Sequence, residues 1–265
     1  MPSAQFASIM HSAQYKPYVH DAVQIGVNYL YMNTQKAPFD NKLVREAVSH
    51  AIDKKRILQL VNGRGKIANQ IIPLGLAGND TSVPDVSYDP AKAKALMAQA
   101  GLKNGVSTTL LTLTDDPFTK IAQAVQQQLA VIGIKADIKS LPQAEWINTM
   151  TTPGTTAIGL SGWFQAYPDA SDFLPILFKS NQYAQGSWNL SGYQNKTVDA
   201  LLDQARGVNL KASLPLYQKA QKLILADTPW VPLYYPVVYD FVNPRLQHFS
   251  HHPVWGFVYQ NWNVK

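Results

Sequence analysis

The sequence predicts an α/β fold with a mixed, partly parallel sheet flanked by helices. Strand-like and helix-like segments alternate between residues 88 and 140, two Asp-Pro pairs open helical patterns there, and the joints are short. A strand, a helix and a strand joined so closely form a βαβ unit, which demands a parallel pair and a right-handed crossover.

Each element has its own local reason. "VQIGVNYLYMNT" (23–34) is rich in Val, Ile and Tyr and reads as a strand. Asp40 is the expected N-cap of a helix whose apolar stripe is Leu43, Val44, Ala47, Val48, Ala51 and Ile52. Asp53 caps a second helix through Leu60, stopped by Asn62-Gly63. Residues 63–89 are rich in Gly, Pro, Asn and Asp and read as a long ordered loop. Asp89-Pro90 starts a helix that buries Ala93, Leu96, Met97 and Ala100 and ends at Gly101. "TTLLTLT" (108–114) is a strand. Asp116-Pro117 is read as a second capped start, with Ile121, Val125, Leu129 and Ile132 on one face up to Gly133. "IKADIKS" (134–140) alternates like a half-exposed strand. A short helix at 144–150 leads to a strand at 156–162, and helices at 197–205 and 214–226 follow. "WVPLYYPVVYDFV" (230–242) is strand-like, but Pro232 and Pro236 argue against a central place in a sheet.

Composition narrows the function. With 265 residues, of which 46% are hydrophobic, the chain can build its own core and is not a disordered one. Cysteine is absent, which removes disulfides and thiolate metal sites. No apolar run approaches the roughly 18 residues of a membrane span. "MPSAQFASIMHSAQYKPYV" lacks a basic segment followed by an apolar one, so no signal peptide is expected within this chain. The net charge of +6 would suit an anionic partner. Lys and Arg are scattered, however, and the densest run, "DKKR" (53–56), contains an acid, so no nucleic-acid partner is expected.

Catalytic patterns fail one by one. "GLSGW" (159–163) misplaces the serine and glycine of a nucleophile elbow, and "NGRGK" (62–66) lacks phosphate-loop spacing. His251-His252 has no carboxylate near it in sequence and reads as a polar strand end rather than a metal site. Asp116 is explained by capping, and Asp172 fits either an acid–base pair with Asp169 or a local cap before "FLPILF". No cofactor, no metal and no enzymatic activity are expected, and a hydrolase with an unrecognised site is the competing class. The stretch that stands out is "GWFQAYPDASDF" (162–173), where aromatics, an amide and carboxylates gather at a strand end. A binding cleft uses such groups, and so does a core.

That stretch, with "PFDNKLVREAVSHAIDKKRIL" (38–58), "YDPAKAKALMAQAGL" (88–102), "YQNKTVDALLDQA" (193–205) and "ADTPWVPLYYP" (226–236), resembles the extracellular solute-binding proteins of family 5. These are dipeptide-, oligopeptide- and nickel-binding receptors of ABC importers, two-lobed and about twice this length. The resemblance covers their C-terminal lobe. It implies a periplasmic-binding-protein-like lobe over 1–245, and a tail over 246–265 that in the family returns toward the N-terminal lobe. It further implies an extracytoplasmic location, a permease and a missing N-terminal lobe as partners, and hinge closure on the ligand. The ligand-binding residues it implies are Gly162, Trp163, Phe164, Gln165, Ala166, Tyr167 and Asp169. In the family's peptide binders the fifth position of this motif is commonly an Asp that pairs with the peptide's α-ammonium, whereas here it is Ala166. Either Asp169 substitutes, or the solute has no ammonium there; a peptide and an oligosaccharide are both expected candidates.

Overall fold

A computed structural model describes residues 3–252 and 256–265. A helix, α1 (Ser3–His11), precedes two strands, β1 (Val19–Val23) and β2 (Gly26–Met32). Helices α2 (Lys42–Ala51) and α3 (Lys54–Leu60) lead to a short strand β3 (Gly65–Ile67) inside the stretch expected to be all loop. Next come α4 (Pro90–Gln99), β4 (Val106–Leu113), α5 (Phe118–Val131), β5 (Ile134–Leu141), α6 (Gln143–Met150) and β6 (Ile158–Phe164). The chain then runs through α7 (Leu174–Phe178), α8 (Lys196–Arg206), α9 (Leu210–Asp227) and β7 (Trp230–Phe241).

The seven strands form one mixed sheet in the order β1-β7-β2-β6-β4-β5, with β3 also paired to β7. The expected βαβ unit is present: β4 and β5 are parallel from Val106–Ile134 to Leu113–Leu141, with α5 between them. Helices cover both faces. On β2, Val27, Tyr29 and Tyr31 join one core with Leu174, Val198 and Ile224 of α7–α9, while Leu30 and Met32 join another with Val44, Leu96 and Val125 of α2, α4 and α5. This alternation is the period-2 signature of a strand buried on both faces. Tyr29 stacks on Trp230, which also meets Phe178 at 4.5 Å.

Several local expectations need correction. The N-cap of α2 is Asn41, whose side chain accepts from Leu43 N–H at 2.9 Å, and not Asp40. Asp116 does not cap α5; the helix starts at Phe118, and Asp116 pairs with Lys120 at 3.1 Å instead. Asp53 and Asp89 do cap α3 and α4 as read. The largest correction concerns β7, which lies inside the sheet despite its prolines. Its register slips opposite Asn28 and Tyr29, passing from Tyr234 to Pro232 and leaving Leu233 as the extra residue of a bulge. Pro236 sits at the joint between β1 and β2, where its carbonyl accepts from Gln24 N–H at 2.9 Å. Pro232 thus lies next to the bulge, and Pro236 turns to the joint on its β1–β2 side while staying in register with Gly65 of β3.

Pro253, Val254 and Trp255 of the tail lie outside the described residues. The described part folds back on the lobe. Strand β8 (Leu246–Gln247) pairs with β11 (Asn263–Val264), and β9 (His251–His252) pairs with β10 (Gly256–Phe257). His251 finds a carboxylate after all, since its Nδ1 lies 2.9 Å from Asp240 Oδ2 on β7.

Candidate functional site

Strands β4, β5 and β6 run parallel in register, so their carboxyl ends meet at one edge of the sheet, beside Gly26 at the start of β2. That edge is where open α/β sheets bind ligands. Gly162, Trp163 and Phe164 are the last residues of β6, which runs two residues past the expected strand end at 162 because Gly162, Trp163 and Phe164 pair antiparallel with Asn28, Val27 and Gly26.

The two ladders of β6 end at different points. On one side it pairs with β2 through Phe164, while on the other the last residue paired with β4 is Gly159. Hydrogen bonds from Asn33 N–H to Ala157 O (2.8 Å) and from Gln165 N–H to Ile25 O (3.1 Å) show that the odd-numbered residues turn their main chain toward β2. Gly162 and Phe164 therefore turn theirs toward the β4 side, beyond the last ladder pair. Two glycines keep this edge low. A Cβ on Gly162 would lie 2.7 Å from Asn28 Oδ1, and one on Gly26 would lie 2.7 Å from the Phe164 ring and 2.9 Å from Trp163 O.

Side chains alternate about this backbone. Phe164 is 49% exposed. Trp163 points to the opposite face, half-buried, and meets Trp188 edge-on at 5.2 Å. Gln165 is half-buried, and Ala166 and Tyr167 are exposed. The loop is held from beneath by Asp172. Its Oδ2 accepts from Ala166 N–H at 2.7 Å, and the residue is 1% exposed. Burial raises the Asp172 pKa, while the Ala166 N–H, the neighbouring Trp163 indole and the Tyr167 N–H pull it back. Asp172 is thus an anchor for the loop and not the cap of α7, whose N-cap Phe173 makes no side-chain bond.

Asp169 behaves differently. Its Oδ1 accepts from Ser171 N–H at 2.8 Å, and its Oδ2 has no hydrogen-bond partner among the described residues. Ser171 Oγ donates to Tyr167 Oη at 3.2 Å. Burial, then the charge of Asp169, raise the pKa of Tyr217 on α9. A cleft of about 290 Å³ opens beside Tyr167 and Ser171 and runs to Lys179 and Arg206. Of the two acids in the motif, only half-buried Asp169 has an oxygen left for a solute.

Residues 2–185 match the sequence pattern of the bacterial extracellular solute-binding proteins, family 5 Middle. The chain belongs to this family. Among the relatives it resembles, heme-binding protein A of Haemophilus influenzae is 32% identical over 89% of this chain and 44% of its own length. The glutathione-binding protein GsiB of Escherichia coli is 32% identical over 88% of this chain and 47% of its own. The periplasmic binding protein DppA of Helicobacter pylori, solved with the peptide STSA, superposes with a TM-score of 0.87 at 27% identity, over 99% of this chain and 51% of that one. The chain therefore spans about half the length of these proteins it matches. These proteins are binding proteins by name, for heme, glutathione and peptide, and none of the three supports the oligosaccharide reading. Among the described residues no helix is long and apolar enough to cross a membrane.

The sequence reading missed the part played by β2. Gly26 and Asn28 shape the edge at which β6 ends, yet they sit 136 and 134 residues before Gly162 in a segment that carries only a strand signal. The role of Asp172 was missed for the same reason: a hydrogen bond from Ala166 N–H leaves no mark in a pattern of spacing.

Proposed function

We propose that this chain is the C-terminal lobe of a solute receptor serving an ABC importer, and that its solute is a peptide held in extended form along β6. The open main-chain edge of Gly162 and Phe164 carries the reading. A peptide strand added there gains main-chain hydrogen bonds, which are indifferent to sequence, while Phe164 and Tyr167 supply flat apolar contact. Asp169 Oδ2 takes the ammonium in place of an acid at Ala166. The other lobe closes over the solute, and the closed form is what a permease recognises.

The test is a titration of the chain with the peptide STSA, followed by calorimetry and by the amide resonances of residues 159–173. If the lobes share the contacts of a micromolar site worth about 8 kcal/mol, half of it leaves a dissociation constant in about the millimolar range. The amides of Gly162 and Phe164 shift first, and a peptide N-methylated along the pairing edge binds at least about tenfold more weakly. Equal affinity for the N-methylated peptide, or shifts confined elsewhere, would refute addition to the β6 edge.

A further inference from the structure

A second cavity, of about 400 Å³, lies between α2, α3 and α9 beneath the segment 82–86. It is remote from the β6 edge. Trp230, which lines it, pairs with Tyr31, whereas Phe164 pairs with Gly26. Those positions are five residue steps apart along β2, about 17 Å at strand rise. The volume falls in the range that small-molecule sites occupy.

The lining states what would fit. Val83, Pro84, Leu225 and Trp230 make it chiefly apolar. The cations at its wall are already neutralised: Lys54 is ion-paired with Asp85 and donates to Ala68 O at 2.8 Å, and Lys222 lies 3.0 Å from Asp80. A charged ligand would therefore enter without a counter-ion, which is costly. One donor without work remains. The Trp230 indole N–H is buried with no hydrogen-bond partner, and Ser49, 5% exposed, lines the same cavity. The segment above is tethered by Lys54–Asp85 and by Asn69 Nδ2 donating to Val83 O, and Val86 on it is 39% exposed.

We propose that this cavity is a second binding site, for a small uncharged ring compound bearing a carbonyl acceptor. The walls take the ring, the unpartnered Trp230 indole N–H takes the carbonyl, and the ion-paired segment 82–86 acts as the cover. The site is independent of the peptide reading.

Benzamide is the probe and benzoate its charged counterpart, each titrated into the full chain while amide resonances are followed. Benzamide is expected to bind saturably with shifts at 82–86 and around Leu225, and benzoate at least about tenfold more weakly. Leu225→Trp, which fills the cavity, and Val86→Trp, on the exposed cover, should each weaken benzamide by about tenfold or more. Should Leu225→Trp fail to fold, Val86→Trp alone decides. Absence of saturable benzamide binding, equal binding of benzoate, shifts confined to 164–169, or a folded Val86→Trp that binds as the wild type would each overturn the assignment.

Discussion

Asp172 offers the sharpest test of how the loop is built. The carboxylate is 1% exposed and accepts from Ala166 N–H at 2.7 Å, so it accounts for the course of the chain from Phe164 to Pro168. Asp172→Ala removes the acceptor. A hydrogen bond to an ionised group contributes about 1.5–3 kcal/mol, and relief of the buried charge offsets part of it, leaving a net loss of about 1–2 kcal/mol. For a chain of this size each kcal/mol moves Tm by about 2–4 °C, so a fall of roughly 2–8 °C is expected. Asp172→Asn keeps an acceptor oxygen and sheds the charge whose burial raises the pKa. It should stay within about 0.5 kcal/mol of the wild type. Urea unfolding of the three proteins measures both values, and the STSA titration measures the consequence: affinity lost in Asp172→Ala and regained in Asp172→Asn. If Asp172→Asn falls as far as Asp172→Ala, the negative charge and not the acceptor holds the loop. If Asp172→Ala matches the wild type in both assays, the loop does not depend on this anchor and the reasoning fails.

Gly26→Ala places a Cβ against the Phe164 ring and Trp163 O, and should cost about 1–3 kcal/mol in urea unfolding while displacing the Phe164 ring signals; an unchanged midpoint would contradict the close approach. Phe164→Ala and Tyr167→Ala, both at exposed positions, should leave Tm within about 2 °C and weaken peptide binding by about three- to thirtyfold each, as for aromatic contacts at an interface. Asp80 is held down to about 2 by hydrogen bonds from Ser82 and then Lys222. Its folded pKa lies below the unfolded value of about 3.9, so the unfolded chain binds more protons between them. Its stabilisation is present above about pH 4 and fades as pH falls toward 2. A carboxyl NMR titration should place the Asp80 midpoint well below 3.9 in the wild type and nearer to it in Lys222→Ala; an ordinary midpoint in the wild type would refute the tether. Burial pushes the Tyr234 and Tyr235 hydroxyls up to about 12, so the folded chain keeps protons that the unfolded one releases. Stability should then hold to about pH 10 and decline above it, followed by circular dichroism; flat stability to pH 12 would argue against burial of these hydroxyls.

Whatever acts within a few residues or by a repeating period was legible in the order of residues alone. Asp53 and Asp89 cap their helices because the carboxylate reaches N–H groups two or three positions on. The parallel pair β4–β5 follows from two strands and a helix joined too closely for another topology. The stretched motifs from 38 to 236 identified the family, since residue order survives in sequence whatever the contacts. The rest came from contacts between distant segments. Asn41 displaced Asp40 as a cap by the geometry of the turn, and Asp116 turned to Lys120. Pro232 and Pro236 entered a central strand because a bulge and a joint between partner strands, set by Asn28 and Gln24, absorbed their missing donors. The open edge of β6 exists because β4 stops pairing at Gly159 while β2 continues to Phe164. Such features depend on which distant backbones lie side by side, and hydrogen bonds between residues a hundred or more positions apart impose no spacing on the sequence that makes them.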